Sequence, residues 1–237
     1  MEKTGLSLIC PVYYDENNIG PLVARSMDVL KPVCGELEIL IVDDGSPDGS
    51  GRMADELSVL YKEVTALHHE QNLGHGAALK TGIRASRMPA LALMDGDGQY
   101  DPADLPPMLE LLDEYHLVQG RRPVYPNGRL RLAISRIYNM SARTLFNVPF
   151  TDLGCSLKVF KRETVGNDLP EGDGIFMQGE LVLRAHFRGL KIREMDVSCF
   201  PRESGRSSSV TLKNTALLLR DMLRLRGKLG RAGERQP

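Results

Sequence analysis

The sequence of 237 residues predicts an α/β fold, with a mostly parallel sheet flanked by helices in a single domain that ends in an amphipathic helix. Short apolar runs alternate with helical patterns roughly every 25–30 residues through the first half. Polar, turn-rich stretches follow several of these runs. No internal repeat, low-complexity segment or linker divides the chain, so one compact unit is expected.

Four strands are predicted from the apolar runs of the first half, at Leu6–Cys10, Leu37–Val42, Val64–Leu67 and Ala90–Met94. Apolar residues at helical spacing predict four helices, at Ile19–Leu30, Met53–Tyr61, Ala77–Arg87 and from about Pro102 to Tyr115. This alternation favours parallel strands, whose carboxyl ends meet at one edge of the sheet and form ligand sites there.

The second half is less regular. Helices are predicted at Leu132–Phe146 and Gln178–Phe187, strands at Ser156–Phe160 and Ile192–Val197, and a basic turn-forming segment at Arg121–Arg131. We assign residues 1–211 to the domain and residues 212–237 to a basic amphipathic segment. Within it, apolar residues recur at helical spacing, at Leu218, Met222, Leu225 and Leu229.

Composition and charge narrow the functional class. The formal net charge is −1, which argues against a nucleic-acid-binding protein. Residues 202–237 nevertheless hold nine Lys/Arg against three Asp/Glu, so this end of the chain suits an anionic surface. The four cysteines lack metal-ligand or redox spacing, and neither a secretory leader nor a membrane-spanning run is evident, so reduced thiols and a cytoplasmic location are expected.

The most informative stretch is Met94-Asp-Gly-Asp-Gly-Gln99, directly after the Ala90–Met94 run. Two carboxylates and an amide leave a strand end together, and the glycines between them free the backbone. Hard oxygen ligands of this kind suit Mg²⁺ or Mn²⁺, which commonly share their coordination with substrate phosphates. The sequence therefore predicts a metal–diphosphate site at Asp95, Asp97 and Gln99; an acidic surface turn is the alternative for an isolated motif.

Four loops follow predicted strands or helices, in the order Pro11-Val-Tyr-Tyr-Asp-Glu-Asn-Asn-Ile19, Val42-Asp-Asp-Gly-Ser-Pro-Asp-Gly49, Asn72-Leu-Gly-His-Gly-Ala-Ala78 and Asp95–Gln99. Taken in this order, they resemble the motifs of the family-2 glycosyltransferases with the GT-A fold, a Rossmann-like arrangement. More narrowly, the chain is similar to dolichyl-phosphate mannose synthases and their bacterial polyprenyl-phosphate sugar transferase relatives, from about Leu6 to Leu223. Neither a Walker A motif nor Gly-x-Gly-x-x-Gly occurs, which disfavours an NTPase or a dehydrogenase.

The resemblance implies a donor site. It assigns nucleotide-sugar binding to Pro11, Tyr13, Glu16, Asp43, Asp44, Gly74 and Asp95, and metal binding to Asp95, Asp97 and Gln99. By this reading Asp97 also takes part in catalysis, because it positions the departing diphosphate through the ion. Without the ordered set, Glu16 would be an acid at a helix N-terminus, and Asp43 and Asp44 would be turn residues.

The resemblance also implies an acceptor site for a lipid phosphate. The residues expected to hold that phosphate are Arg122, Arg131, Ser135 and Arg202, since arginine binds phosphate oxygens with two parallel hydrogen bonds. Surface arginines in solvent are the alternative. The segment Arg206-Ser-Ser-Ser209 departs from the usual x-Ser-Lys-Tyr of the relatives, which weakens the acceptor assignment more than the donor assignment.

Together these motifs predict metal-dependent, inverting transfer of a hexose from GDP- or UDP-sugar to a polyprenyl phosphate at the inner face of the cytoplasmic membrane. Two alternatives stay open. One is a transferase with a hydroxyl acceptor, which needs a carboxylate base such as Glu180 or Asp152. The other is a silent nucleotide-sugar-binding subunit. The C-terminal helix is expected either to lie on the membrane, with a membrane protein as a further partner, or to dock on the body.

Overall fold

The computed structural model describes residues 4–124, 128–166, 169–202 and 212–233. Seven strands form one mixed sheet in the order β3-β2-β1-β4-β6-β5-β7. The strands are β1 (Leu6–Val12), β2 (Leu37–Asp43), β3 (Val64–His68), β4 (Ala90–Leu93), β5 (Leu117–Arg121), β6 (Lys158–Lys161) and β7 (Ile192–Asp196). β1 pairs in parallel with both β2 and β4, and Val12 lies opposite Asp43. The carboxyl ends of these three strands therefore meet at one edge, as expected.

Helices cover both faces of the sheet. They are α1 (Ile19–Leu30), α2 (Ser50–Leu60), α3 (His75–Ala85), α4 (Leu105–Glu110), α5 (Gly128–Phe146), α6 (Met177–Phe187) and α7 (Leu212–Gly233). Side chains of α1, α2 and α4 share one apolar core with alternate residues of β1 such as Leu8 and Cys10. Those of α3, α5, α6 and α7 share a second core with Ile9, on the opposite face.

Three details differ from the sequence prediction. The strand β5 covers Leu117–Arg121, a stretch for which no strand was predicted. β6 runs antiparallel to both of its neighbours, β4 and β5. The helix predicted from Pro102 to Tyr115 is a short α-helix between two 3₁₀ turns, because Pro106 and Pro107 lack the backbone N–H groups that would extend a regular helix.

The helix α7 docks on the body. Met222 and Leu225 are buried in the core shared with α5 and α6, and Leu218 and Leu229 pack against it. The basic side chains Arg224 and Lys228 both pair with Glu171. The apolar stripe that could have entered a membrane therefore stabilises the fold instead. Among the described residues, no helix is long and apolar enough to span a bilayer.

Candidate active site at the carboxyl edge of the sheet

The site begins where β1 and β4 end side by side. The Gly96 amide donates to the Pro11 carbonyl oxygen at 3.1 Å, which ties the acidic loop to the end of β1. A Cβ atom at position 96 would lie 2.5 Å from Val12 and 2.9 Å from that carbonyl oxygen. Only glycine therefore allows the loop to approach so closely. This contact places Asp95 and Asp97 beside the predicted nucleotide loop.

The three predicted metal ligands lie in this loop, and each has partners of its own. Asp95 Oδ2 accepts a hydrogen bond from Ser156 Oγ at 2.6 Å. Asp97 is 5% exposed, and its Oδ1 accepts from the Gln99 amide at 3.1 Å. The Gln99 side chain donates from Nε2 to the Phe200 carbonyl oxygen at 2.9 Å. The loop is thus fixed internally and also tied to the segment that carries Arg202.

Arg202 joins this acidic group. Its Nη2 donates to Asp97 Oδ2 at 2.6 Å, and its Nη1 lies 4.0 Å from Asp15 Oδ1. Burial raises the pKa of Asp97, as does the neighbouring Asp95, while the guanidinium opposes both effects. Burial likewise raises the pKa of Asp15 to about 6. The site therefore concentrates carboxylates in a poorly solvated position, where positive charge is favoured.

The residues present fit a divalent cation. Asp95 Oδ1 is buried and accepts no hydrogen bond from the described residues, although His75 Nε2 lies 3.5 Å away. A buried carboxylate oxygen without a donor suits a ligand that is itself positively charged. With Asp97 and Gln99, Asp95 would supply oxygen ligands of the kind that Mg²⁺ and Mn²⁺ prefer, although the described residues gather no three His, Cys, Asp or Glu side chains that could hold an ion by themselves.

The predicted nucleotide residues lie along the adjoining edge. Glu16 Oε2 accepts from the Gly49 amide at 2.7 Å, which links the loop after β1 to the start of α2. Asp43 Oδ1 accepts from the Ser46 amide at 3.0 Å in a tight turn. Tyr13 donates its amide to Asp15 Oδ2 at 3.1 Å and stacks edge-on against Tyr14. Pro11, Tyr13, Glu16 and Asp43 therefore lie near the carboxyl ends of β1 and β2, with partners that fix their positions.

Asp44 has a structural task that its sequence pattern did not reveal. Its two oxygens accept from the Leu73 and Gly74 amides at 2.9 Å each, and Oδ1 also pairs with His69 Nδ1 at 2.7 Å. The His69 ring reaches Thr81 on its other side. Asp44 thereby holds the loop that carries Gly74 against the end of β2. Gly74 itself has φ +101°, a conformation that favours glycine.

On the acceptor side, Arg122 forms a buried ion pair with Asp152. Its Nε and Nη2 donate to the two carboxylate oxygens at 2.8 and 2.7 Å. Burial alone would raise the pKa of Asp152, but the Arg122 guanidinium holds it below its usual value. Ser135 and Asn139 follow on the inward face of α5, and Asn139 Nδ2 lies 3.4 Å from both Ser135 Oγ and Asp152 Oδ1. The side chain of Arg131 lies outside the described residues.

Both suspected bases have partners within the protein. Both oxygens of Asp152 are engaged by Arg122. Both oxygens of Glu180 are engaged as well: Oε1 accepts from the Glu171 amide and from Arg184 Nε, and Oε2 accepts from the Gly172 amide. These two carboxylates brace loops of the protein, which favours structural roles for them.

The sequence analysis did not assign Ser156 or Gln178 to the site. Ser156 orients Asp95, and Gln178 lies 2.8 Å from His75 Nε2, with its amide carbonyl as the acceptor when the side chain is turned to satisfy its neighbours. Lys158 is fully buried, and its ammonium group donates to the Cys155 carbonyl oxygen beside them. Only a matching motif spacing could have indicated these residues, because single serines and glutamines carry no chemical pattern of their own.

The sequence of this chain is similar to those of known proteins. The model of the family "Glycosyl transferase family 2" matches residues 7–166. Polyprenol monophosphomannose synthase from Mycolicibacterium smegmatis is 32% identical over 84% of this chain and 78% of its own. Dodecaprenyl-phosphate galacturonate synthase from Rhizobium johnstonii is 30% identical over 94% of this chain and 67% of its own. Undecaprenyl-phosphate mannosyltransferase from Micrococcus luteus is 29% identical over 84% and 85%.

The fold is similar to that of glucosyl-3-phosphoglycerate synthase from Mycobacterium tuberculosis, solved with Mn²⁺, UDP and phosphoglyceric acid. That structure superposes with a TM-score of 0.73 at 18% identity, over 94% of this chain and 79% of the other. At this identity the likeness concerns the fold alone, which is GT-A as the motifs implied. The family match and the polyprenyl-phosphate relatives establish that this chain belongs to glycosyltransferase family 2.

Proposed function

We propose that this glycosyltransferase transfers a hexose, mannose or glucose, from GDP- or UDP-sugar to a polyprenyl phosphate with inversion, at the inner face of the cytoplasmic membrane. The observation that carries the proposal is the contact between Arg202 and Asp97. A predicted phosphate-binding arginine is paired with a predicted metal ligand, so the donor and acceptor halves of the site adjoin.

The chemistry follows from these groups. The bond between the anomeric carbon and the departing diphosphate breaks, and a bond from an acceptor phosphate oxygen to that carbon forms on the opposite face. Bound at Asp95, Asp97 and Gln99, Mg²⁺ or Mn²⁺ would stabilise the negative charge that collects on the diphosphate. Arg202 adds a further positive charge at the same place, and Tyr13, Glu16 and Asp43 hold the nucleoside.

A phosphate acceptor suits the structural engagement of Asp152 and Glu180, the two carboxylates suspected as a base. A phosphate monoester has its second pKa near about 6, so at neutral pH it is largely a dianion that needs no deprotonation. A hydroxyl acceptor would need a base, and both Asp152 and Glu180 accept hydrogen bonds from other parts of the protein. Ser135 and Asn139 lie beside the Arg122–Asp152 pair. Because Arg122 is engaged by Asp152, the proposed contacts of the lipid phosphate are Arg131, Ser135 and Arg202.

The test is a transfer assay in detergent with Mn²⁺, radiolabelled GDP- and UDP-sugars, and a short-chain polyprenyl phosphate. We expect label in the organic phase, lost after chelation and in Asp97→Ala. Asp28→Ala is a matched control, because Asp28 is exposed on α1. Label found only with a hydroxyl acceptor, or donor binding without turnover in every combination, would refute the proposal.

A further inference from the structure

The helix α5 lies in one of the two strongly basic parts of the chain. Residues 115–151 contain six arginines and no aspartate or glutamate, in a protein whose net charge is −1. The proposed reaction uses at most two of these arginines, Arg122 and Arg131. Arg121 pairs with Asp196, but Arg136 and Arg143 are exposed on α5, and such a basic segment attracts anionic partners.

The outward face of α5 combines this charge with exposed apolar groups. Ile137 and Met140 are 59% and 63% exposed, and they lie on one stripe of the helix. Arg136 and Arg143, seven residues apart, are exposed along one flank of that stripe. Apolar side chains bordered by arginines on one helix face are typical of a helix that lies in a membrane interface.

The inward face of the same helix borders the acceptor site. Asn139 contacts Asp152 of the Arg122–Asp152 pair, and Ser135 contacts Asn139. At about 100° per residue, these two side chains are turned roughly 100–160° away from Ile137 and Met140 around the helix axis. The body of a helix is about 10 Å across, so α5 separates the proposed phosphate site from its outward face by only that distance. A lipid whose phosphate lies at a membrane surface could reach the site beside this helix.

We propose that the outward face of α5 is the surface by which the protein lies on an anionic membrane. Ile137 and Met140 enter the boundary between headgroups and acyl chains, and Arg136 and Arg143 contact lipid phosphates. The inference rests on the proposed function in one respect only: it explains how a lipid acceptor is presented to the site.

Other exposed apolar groups fit a membrane less well. The apolar stripe of α7 is buried, with Met222 and Leu225 in the core. Val59 and Leu60 at the end of α2 are 89% and 68% exposed, but that helix also carries Asp55 and Glu56. Acidic groups there would repel anionic lipid. This pair on α2 therefore provides a matched control of equal apolar character.

The experiment measures sedimentation of the full chain with vesicles, without any sugar donor. Vesicles contain phosphatidylcholine alone or with about one third phosphatidylglycerol, an anionic lipid. We compare the wild type with Ile137→Gln/Met140→Gln, with Arg136→Gln/Arg143→Gln, and with the control Val59→Gln/Leu60→Gln. All of these positions are exposed, so the variants should fold, and circular dichroism confirms this.

We expect the wild type and the α2 control to bind anionic vesicles, and both α5 variants to bind about tenfold more weakly or worse. Turnover of a short-chain acceptor in detergent should stay unchanged in the α5 variants. Equal binding by the α5 variants, equal binding to neutral vesicles, or a change only in oligomeric state would overturn the proposal. Because vesicle binding and detergent turnover are read separately, loss of the proposed reaction would be distinguishable from loss of the membrane contact.

Discussion

Arg202 Nη2 lies 2.6 Å from Asp97 Oδ2, although the two residues are 105 positions apart in the chain. A guanidinium thus neutralises a carboxylate that the proposed metal ion also requires. An ion bound at Asp97 must share this oxygen with Arg202 or displace it, and a displaced Arg202 could turn to phosphate oxygens. The contact therefore couples occupation of the metal site to the position of an acceptor residue.

Replacing Arg202 should separate metal binding from catalysis. In Arg202→Gln we expect Mn²⁺ to bind about tenfold more tightly without donor, because a competing cation is removed, a change of ~1.4 kcal/mol. Turnover should fall by about a hundredfold or more, because a phosphate-binding charge is lost. Titration calorimetry and the transfer assay measure the two effects. Weaker Mn²⁺ binding in this variant would show that Arg202 supports the ion rather than competing with it.

Removing the Asp44 carboxylate should destabilise the loop that carries Leu73 and Gly74. Asp44→Ala leaves the Leu73 and Gly74 amides and the His69 ring without their acceptor, so we expect a loss of about 3 kcal/mol in the free energy of unfolding. The Michaelis constant for the nucleotide sugar should rise as well. Urea denaturation gives the first quantity. Asp55→Ala is the control: Asp55 pairs with His68 at an exposed position and should cost less than about 1 kcal/mol.

The Arg122–Asp152 pair permits a test of structural against functional roles. Arg122→Met leaves a buried carboxylate unpaired and should cost about 3–5 kcal/mol in unfolding free energy. In Arg122→Met/Asp152→Leu the uncompensated charge is gone, and most of that stability should return. If Arg122 also contacts the lipid phosphate, the double variant should still lack turnover. Full activity in the stable double variant would assign Arg122 to the fold alone.

Asp15 should make the protein less stable as the pH rises. Burial raises its pKa in the folded state to about 6 from an ordinary 3.8, so the folded state binds the proton more tightly than the unfolded state. Protonated Asp15 therefore contributes favourably to the free energy of unfolding below about pH 4. This contribution, about 3 kcal/mol, is lost as the pH rises through about 6. Other groups titrate too, so the relevant quantity is the difference between wild type and Asp15→Asn.

For that comparison, unfolding by urea is followed at about pH 4 and about pH 7.5. Asp15→Asn should gain stability relative to wild type at the higher pH, because asparagine keeps an acceptor for the Tyr13 amide without a charge to bury. An identical pH dependence in both proteins would mean that Asp15 is ionised in the folded state without penalty.

Much of the fold could be read from local patterns. The helix α1 covers Ile19–Leu30 as its apolar spacing predicted, and β1, β2 and β4 begin at the residues where their apolar runs begin. β5 was missed because Gln119 and Gly120 interrupt its apolar character; Gln119 is buried only because the Asp152 carbonyl and Glu194 accept its hydrogen bonds. The direction of β6 could not be predicted, because a four-residue apolar pattern is the same for a parallel and an antiparallel strand.

The sequence by itself determined the α/β class, the family and the loops that form the site, because periodicity and motif spacing arise between residues close along the chain. The tertiary structure alone decided that Arg202 meets Asp97, that Asp44 braces a loop, and that α7 buries its apolar stripe while α5 exposes one. Such partners are brought together by the folding of distant segments, so which charge pairs with which depends on geometry that no local pattern records.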